Sequence, residues 1–178
     1  MNSKINNLYN INEDNNLDLY FSLKNKHGLE ISKKDKEIFI QDAVKKLEPL
    51  LLDTDLILYP QSSSSFISEI VYKLNKKSIL LKKRTLNEIK DKLTEINFSK
   101  QELQSQINRI SKMGDTFKIN KIKYNQRHRY IKYLFEDIEF DKNKKIAFID
   151  DSYFSGSTFD AVKHLNNNIV GLFIFRNN

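Results

Sequence analysis

The sequence predicts an α/β fold: an open parallel sheet flanked by helices, with a helical insert lobe. Three observations predict it. Short apolar runs alternate with stretches of helical period, the pattern of a parallel sheet covered by helices. Lys145 to Ile149 is an apolar strand pattern, and Ile169 to Phe175 is uninterrupted enough to be a strand buried on both faces. Between residues 82 and 140 the pattern becomes mainly helical and strongly charged, which reads as an insert. The 178 residues suit one domain spanning 1–178.

The elements follow in order. Residues 1–16 are polar and Asn-rich and predict a loose arm. Leu19 to Leu23 and Leu29 to Ile31 are short apolar pieces around Lys24-Asn25-Lys26-His27-Gly28, which predicts a β-hairpin with a glycine turn. Residues 1–31 are thus expected as an N-terminal arm and hairpin. Ser32 with Asp35 caps a helix from Lys33 to Leu47, with Ile40, Ala43, Val44 and Leu47 on one face and Pro49 closing it. Asp55 to Tyr59 reads as a buried strand. Pro60-Gln61-Ser62-Ser63-Ser64-Ser65 then leads into a helix carrying Phe66, Ile67, Ile70, Val71 and Leu74. Ser78 to Leu81 is a second short strand, ended by Lys82-Lys83-Arg84.

Residues 85–114 predict a helical hairpin. Thr85 with Glu88 and Ser99 with Glu102 have capping-box spacing, and Gly114 stands where a C-cap glycine belongs. Leu86, Ile89, Leu93 and Ile96 form one stripe, and Leu103, Ile107 and Ile110 another. Phe117 to Ile122 alternates like a strand, and Asn125 to Ile138 predicts a third helix with Ile131, Leu134 and Ile138 inward. Strand Lys145 to Ile149, helix Phe159 to Leu165 and strand Ile169 to Phe175 complete the chain.

Composition narrows the function. With no cysteine, disulfide frameworks and thiolate metal sites are excluded. No apolar run approaches a membrane span, and the Asn-rich, acidic N-terminus argues against a signal peptide. A cytoplasmic protein without a membrane partner is the expectation. The net charge of +7 is mostly spread along helix faces, as solvated charge is. The sharper reading is a polyanionic partner, either nucleic acid or a phosphorylated small molecule.

The chemistry concentrates in Ile146-Ala147-Phe148-Ile149-Asp150-Asp151-Ser152-Tyr153-Phe154-Ser155-Gly156-Ser157-Thr158. The carboxyl end of such a strand is where open α/β sheets place ligands. The turn opens a helix, so backbone N–H groups favour a phosphate, and Ser155, Ser157 and Thr158 add hydroxyls. Gly156 allows close backbone approach. Asp150 and Asp151 are acceptors only, which suits sugar hydroxyls or a magnesium ion. Phosphate, vicinal hydroxyls and a metal together describe one kind of ligand.

This segment resembles the phosphoribosyl pyrophosphate (PRPP) loop of type I phosphoribosyltransferases: four apolar residues, two acids, a short variable stretch, then Ser or Thr, Gly, any residue, Thr. Every anchor is filled. The resemblance implies a transfer of phosphoribosyl from PRPP to a nitrogenous acceptor with release of pyrophosphate and with Mg2+ as cofactor. It makes Asp150 and Asp151 the catalytic pair, holding the ribose hydroxyls and, through ribose or water, the metal. Phe154, Ser155, Gly156, Ser157 and Thr158 would cradle the 5′-phosphate. Gln61, Ser62, Ser63 and Ser64 stand where the family has its pyrophosphate loop, and Lys82, Lys83 and Arg84 where orotate-type members have a basic cluster.

Within the family the nearest likeness is to the ComF-like branch. Arg127, Ile131 and Phe135 keep that branch's spacing, whereas Tyr130, Tyr133 and Leu134 depart from it, and its zinc cysteines are absent. The 6-oxopurine enzymes carry an Asp where this chain has Phe154, which argues against purine salvage of that kind. No dedicated general base stands out among His27, His128 and His164. An alternative on the same fold is an inactive PRPP- or nucleotide-binding regulatory module, or a nucleic-acid-binding one, using the basic insert Lys82 to Lys123. The insert would serve equally as the arm of a homodimer.

Overall fold

In a computed structural model, residues 5–13, 15–96, 98–112, 117–166 and 168–176 are described. They build one five-stranded sheet in which every pairing is parallel, in the order β1-β5-β4-β2-β3. The strands are β1 (Ile5–Asn10), β2 (Leu56–Pro60), β3 (Ser78–Leu81), β4 (Ile146–Tyr153) and β5 (Val170–Arg176). The helices are α1 (Asn16–Leu23), α2 (Lys33–Leu47), α3 (Phe66–Lys73), α4 (Leu86–Thr94), α5 (Lys100–Ser111) and α6 (Ser157–Lys163). The expected open parallel α/β sheet is therefore present.

Strand periodicity divides the interior into two layers. Leu56, Leu58, Ile146, Phe148 and Phe173 face a core closed by α4, α5 and α6. Ile57, Ala147, Ile149, Leu172 and Ile174 face a second core closed by α1, α2 and α3. Successive side chains of one strand point to opposite faces, so a strand buried on both must be apolar at nearly every position. That is why β4 and β5 were legible as continuous runs. In α2, Phe39, Ile40, Ala43 and Leu47 form the buried stripe, and the Ser32 side chain accepts from the Asp35 N–H as the spacing requires.

The N-terminus departs from expectation. Residues 5–10 of the expected loose arm are a strand, pairing in parallel with β5 from Ile5↔Gly171 to Asn10↔Arg176. Asn is a poor strand former, but at a sheet edge Ile5, Leu8 and Tyr9 can pack inward while Asn7 is exposed. The expected hairpin is instead α1 and a loop. Tyr20 and Leu23, three apart, are buried together, and a five-residue apolar run fits helix or strand alike. The expected turn survives as the loop after α1, where Asn25, His27 and Gly28 all have positive φ.

Helices α4 and α5 pack on one face of the sheet. Leu86, Ile89, Leu93 and Ile110 share a core with Leu56, Leu58 and Phe148, and Ile96 and Leu103 pack partly buried against it. The Thr85–Glu88 capping box is complete, and Ser99 caps α5 through the Glu102 N–H. Two expectations here are corrected. Phe117 to Ile122 is not a strand: both ends are buried around a 3-10 turn, Ile119–Lys121. In place of a helix over 125–138, 3-10 turns cover Tyr124–Arg129 and Ile131–Tyr133. Gly114 lies outside the described residues.

Candidate functional site

Asp150 and Asp151 lie on β4, the central strand. The recorded pairing of β2 with β4 runs from Leu56↔Ile146 to Leu58↔Phe148, whereas β4 stays paired with β5 as far as Tyr153↔Arg176. Both acids therefore stand beyond the β2–β4 ladder. Helix α3, which follows β2, packs on one face, and α6, which follows β4, packs on the other. Chain directions that part at neighbouring strand ends create the crevice in which open α/β sheets bind ligands.

Both carboxylates are buried. Asp150 Oδ1 accepts the Asp151 N–H at 2.7 Å. Asp151 Oδ1 accepts the Ser152 hydroxyl at 2.6 Å, and its Oδ2 is bound by the Lys24 ammonium. Lys24 also donates to Ser62 Oγ at 3.0 Å, so one cation ties the acid pair to the serine loop. Burial, joined by the charge of Asp151, raises the Asp150 carboxyl above its ordinary range. The Asp151 N–H, Lys83 and Lys24 act in the opposite direction. Beside them, the Tyr20 hydroxyl lies 3.4 Å from Ser152 Oγ. Burial and the Asp151 charge push the Tyr20 phenol up to about 12.

A pH effect follows. The folded chain holds the Asp150 proton at pH values where the unfolded chain, with an ordinary aspartate pKa of about 4, has released it. The folded state then binds more protons, so stability falls as pH rises from that value through the raised one. Asp150→Asn keeps the shape and removes the ionisation. Melting temperature against pH should show a smaller decline in the variant over that window. Parallel curves for variant and parent would mean that Asp150 ionises as freely in the fold as in water.

The turn after β4 is built as its residue types require. Gly156 caps α6 at φ 70°, a left-handed conformation that glycine adopts without cost. A Cβ there would stand 2.9 Å from the Tyr153 hydroxyl. Ser157 is buried; its hydroxyl accepts from Arg127 Nη1 at 3.0 Å and lies 3.2 Å from Ser155 Oγ. Phe154 is exposed, its ring 5.7 Å from that of Tyr20. Thr158 is partly buried in the first turn of α6.

The remaining expected site residues divide. Ser62 joins the site through Lys24. The Ser64 hydroxyl is committed to the Leu23 carbonyl at 2.6 Å, Ser63 is exposed, and Gln61 is exposed with its N–H on the Leu81 carbonyl. Lys83 is close enough for its charge to act on Asp150, and Lys82 is exposed. Arg84 does not join them. Its guanidinium is buried, bound to the Phe135 carbonyl and paired with Asp137 at 2.7 Å, so it locks the 135–137 segment onto the end of β3.

Three cations escaped the sequence reading as site residues. Lys24 looked like part of a hairpin turn. Arg127 appeared only as a spacing match, yet it donates to the Ile122 and Asn120 carbonyls and to Ser157 in the turn. Arg176, beside Tyr153 in the sheet, looked like a tail residue, but its Nε is buried without a hydrogen-bond partner among the described residues. Of the histidines, His27 packs edge-on to Phe21 at 4.5 Å, and His164 lines a surface depression with Phe140 and Leu165.

A directly ligated magnesium ion does not fit this acid pair as it stands. Three of the four carboxylate oxygens already have partners, and Asp151 Oδ2 holds an ammonium. No group of three or more His, Asp or Glu residues suited to a metal occurs among the described residues.

No family model matches the chain, and no curated protein matches it. Among solved structures it is similar to a purine phosphoribosyltransferase from Pyrococcus horikoshii Ot3, with TM-score 0.44 and 11% identity over 82% of this chain and 85% of that one. It is also similar to a hypoxanthine phosphoribosyltransferase from Staphylococcus aureus in two crystal forms, with TM-scores of 0.40 and 0.42 and identities of 13% and 10%. That likeness covers 81% of this chain and 63% of the Staphylococcus aureus chain. At such TM-scores the likeness carries nothing further, and the fold stands on its own strand order and register. No described helix is long and apolar enough to cross a membrane.

Proposed function

We propose that the chain binds PRPP, or a nucleotide containing ribose 5-phosphate, at the carboxyl end of β4, and that it transfers the phosphoribosyl group to a nitrogenous acceptor. One observation carries this reading. Two buried carboxylates stand on the central strand where the helices part to opposite faces, and they run within five residues into a glycine turn with hydroxyls on both sides. Arg176, paired in the sheet with Tyr153, adds a buried Nε that has no hydrogen-bond partner among the described residues, a donor that an anion would satisfy.

In this reading Asp150 and Asp151 accept from the ribose hydroxyls, and residues 154–158 receive the 5′-phosphate. Ser62, Lys82 and Lys83, with Gln61 and Ser63, receive the pyrophosphate. The acceptor nitrogen's lone pair forms a bond to C1′ as the C1′–O bond breaks, and that bond's electron pair leaves on pyrophosphate. The nitrogen's proton passes to solvent. The chain's own part is to position both partners and to place cations by the leaving group. Likeness to the ComF-like branch rests on Arg127, which holds Ser157, and on Ile131 and Phe135, which are buried.

A thermal melt tests the reading, because a ligand bound only by the native state raises its stability. PRPP should raise the melting temperature more than ribose 5-phosphate or pyrophosphate does. No shift with any of the three would remove the proposal. A second reading has its own observation. Residues 117–135 contain Lys118, Lys121, Lys123, Arg127, Arg129 and Lys132 and no acid. Most of these cations are exposed, as is Tyr124 at 72%. Nucleic acid would bind such a surface with strong salt dependence, and retention on single-stranded RNA across a salt series separates this reading from the first.

A further inference from the structure

We propose that Lys24 is the resident counter-cation of this site. Its ammonium occupies the place between the acid pair and the serine loop that a magnesium ion would otherwise take, so a phosphoribosyl ligand binds without a divalent metal. The proposal rests on the phosphoribosyl reading above and departs from the magnesium requirement that the sequence resemblance implies.

The position of the ammonium is the first support. Nζ contacts Asp151 Oδ2, on the strand end assigned to ribose, and Ser62 Oγ, on the loop assigned to pyrophosphate. A metal serving those two parts of one ligand would sit between the same strand end and loop. An ammonium has three donors. Two are used here, which leaves one for a ligand oxygen.

The second support is burial. The Lys24 side chain is 8% exposed and that of Asp151 is 12% exposed, so their charges are little screened by solvent or salt. An ion entering here would have to displace the ammonium from its carboxylate. Magnesium sheds water reluctantly and is usually held by one or two carboxylates together with waters and substrate oxygens, and here Asp151 Oδ2 already holds the ammonium. Asp150 Oδ2 is the only oxygen of the acid pair without a hydrogen-bond partner among the described residues.

The third support is how Lys24 is held. It caps α1, with its N–H on the Tyr20 and Phe21 carbonyls, and the buried Tyr20 and Leu23 anchor that helix to the core. The Ser64 hydroxyl donates to the Leu23 carbonyl at 2.6 Å, which fixes the end of α1 to the serine loop. A cation seated by two independent attachments is positioned before any ligand arrives, and preorganisation of this kind lowers the cost of binding.

The test is calorimetric titration of PRPP into wild type, Lys24→Met and Lys24→Arg, each with magnesium and with a chelator. Wild type and Lys24→Arg should change affinity by less than about threefold on chelation. In chelator, Lys24→Met should bind roughly ten- to hundredfold more weakly, the loss of one charge-assisted bond. It should regain most of that with magnesium, because Asp151 Oδ2 is then vacant. Loss of wild-type binding on chelation would overturn the proposal while leaving the phosphoribosyl reading intact, as would a Lys24→Met affinity equal to wild type in chelator. Should Lys24→Met fail to fold, the wild-type comparison decides alone. Absence of PRPP binding in every protein and condition would overturn the phosphoribosyl reading, and this inference with it.

Discussion

Asp151→Asn is expected to lower PRPP affinity by roughly ten- to hundredfold, through the loss of a charge-assisted bond to a sugar hydroxyl. It is also expected to destabilise the fold by about 3 kcal/mol, because removing one partner of a buried pair strands the other. A carboxylate at a strand end usually contributes little to a core, so the sequence gives no sign of the second effect. The structure adds the second: Asp151 and Lys24 are both buried and bound to each other. Chemical denaturation separates the two effects. Adding Lys24→Met to Asp151→Asn removes the stranded ammonium and should recover part of the lost stability without recovering affinity. Full stability in the single variant would show that the pair contributes nothing to the fold.

Gly156→Ala should abolish most ligand binding while leaving the core intact. A side chain at φ 70° costs about 1–2 kcal/mol of backbone strain. The new Cβ would also stand 2.9 Å from the Tyr153 hydroxyl. Tyr153 packs at 4.8 Å on Phe173, a core residue, so the turn is more free to move than the ring. Moving the turn carries Ser155, Ser157 and Thr158 out of register with the acid pair. We expect PRPP affinity to fall at least about tenfold, with a loss of stability near 2 kcal/mol. Titration and denaturation of the same sample check both. A variant that binds as tightly as wild type would show that the turn does not touch the ligand.

The parts of this structure that were legible in the sequence are those where one physical demand dominates. Strand β4 must be apolar on both faces until it reaches the ligand, so Ile146 to Ile149 ending in two acids announces both strand and site. The capping box of α4 and the Ser99 cap of α5 are local chemistry and appear as spacing. The illegible parts depend on distant partners. Strand β1 exists because β5 offers it an open edge, which nothing in Ile5 to Asn10 reveals. Lys24 enters the site only because α1 is a helix that ends beside the serine loop. Arg84 reads as one more cation of a basic run, and only the carbonyls at 133 and 135 and the Asp137 carboxylate explain why it is buried instead.

Titration of PRPP into wild type and Asp151→Asn side by side, with urea denaturation of each to confirm that both are folded at the titration temperature, decides whether the acid pair holds a phosphoribosyl ligand. Saturable binding of PRPP to wild type, weakened at least about tenfold in the variant, is the predicted result. Equal affinities in the two proteins, or no binding to a folded wild type, would contradict the assignment of the acid pair to a phosphoribosyl ligand.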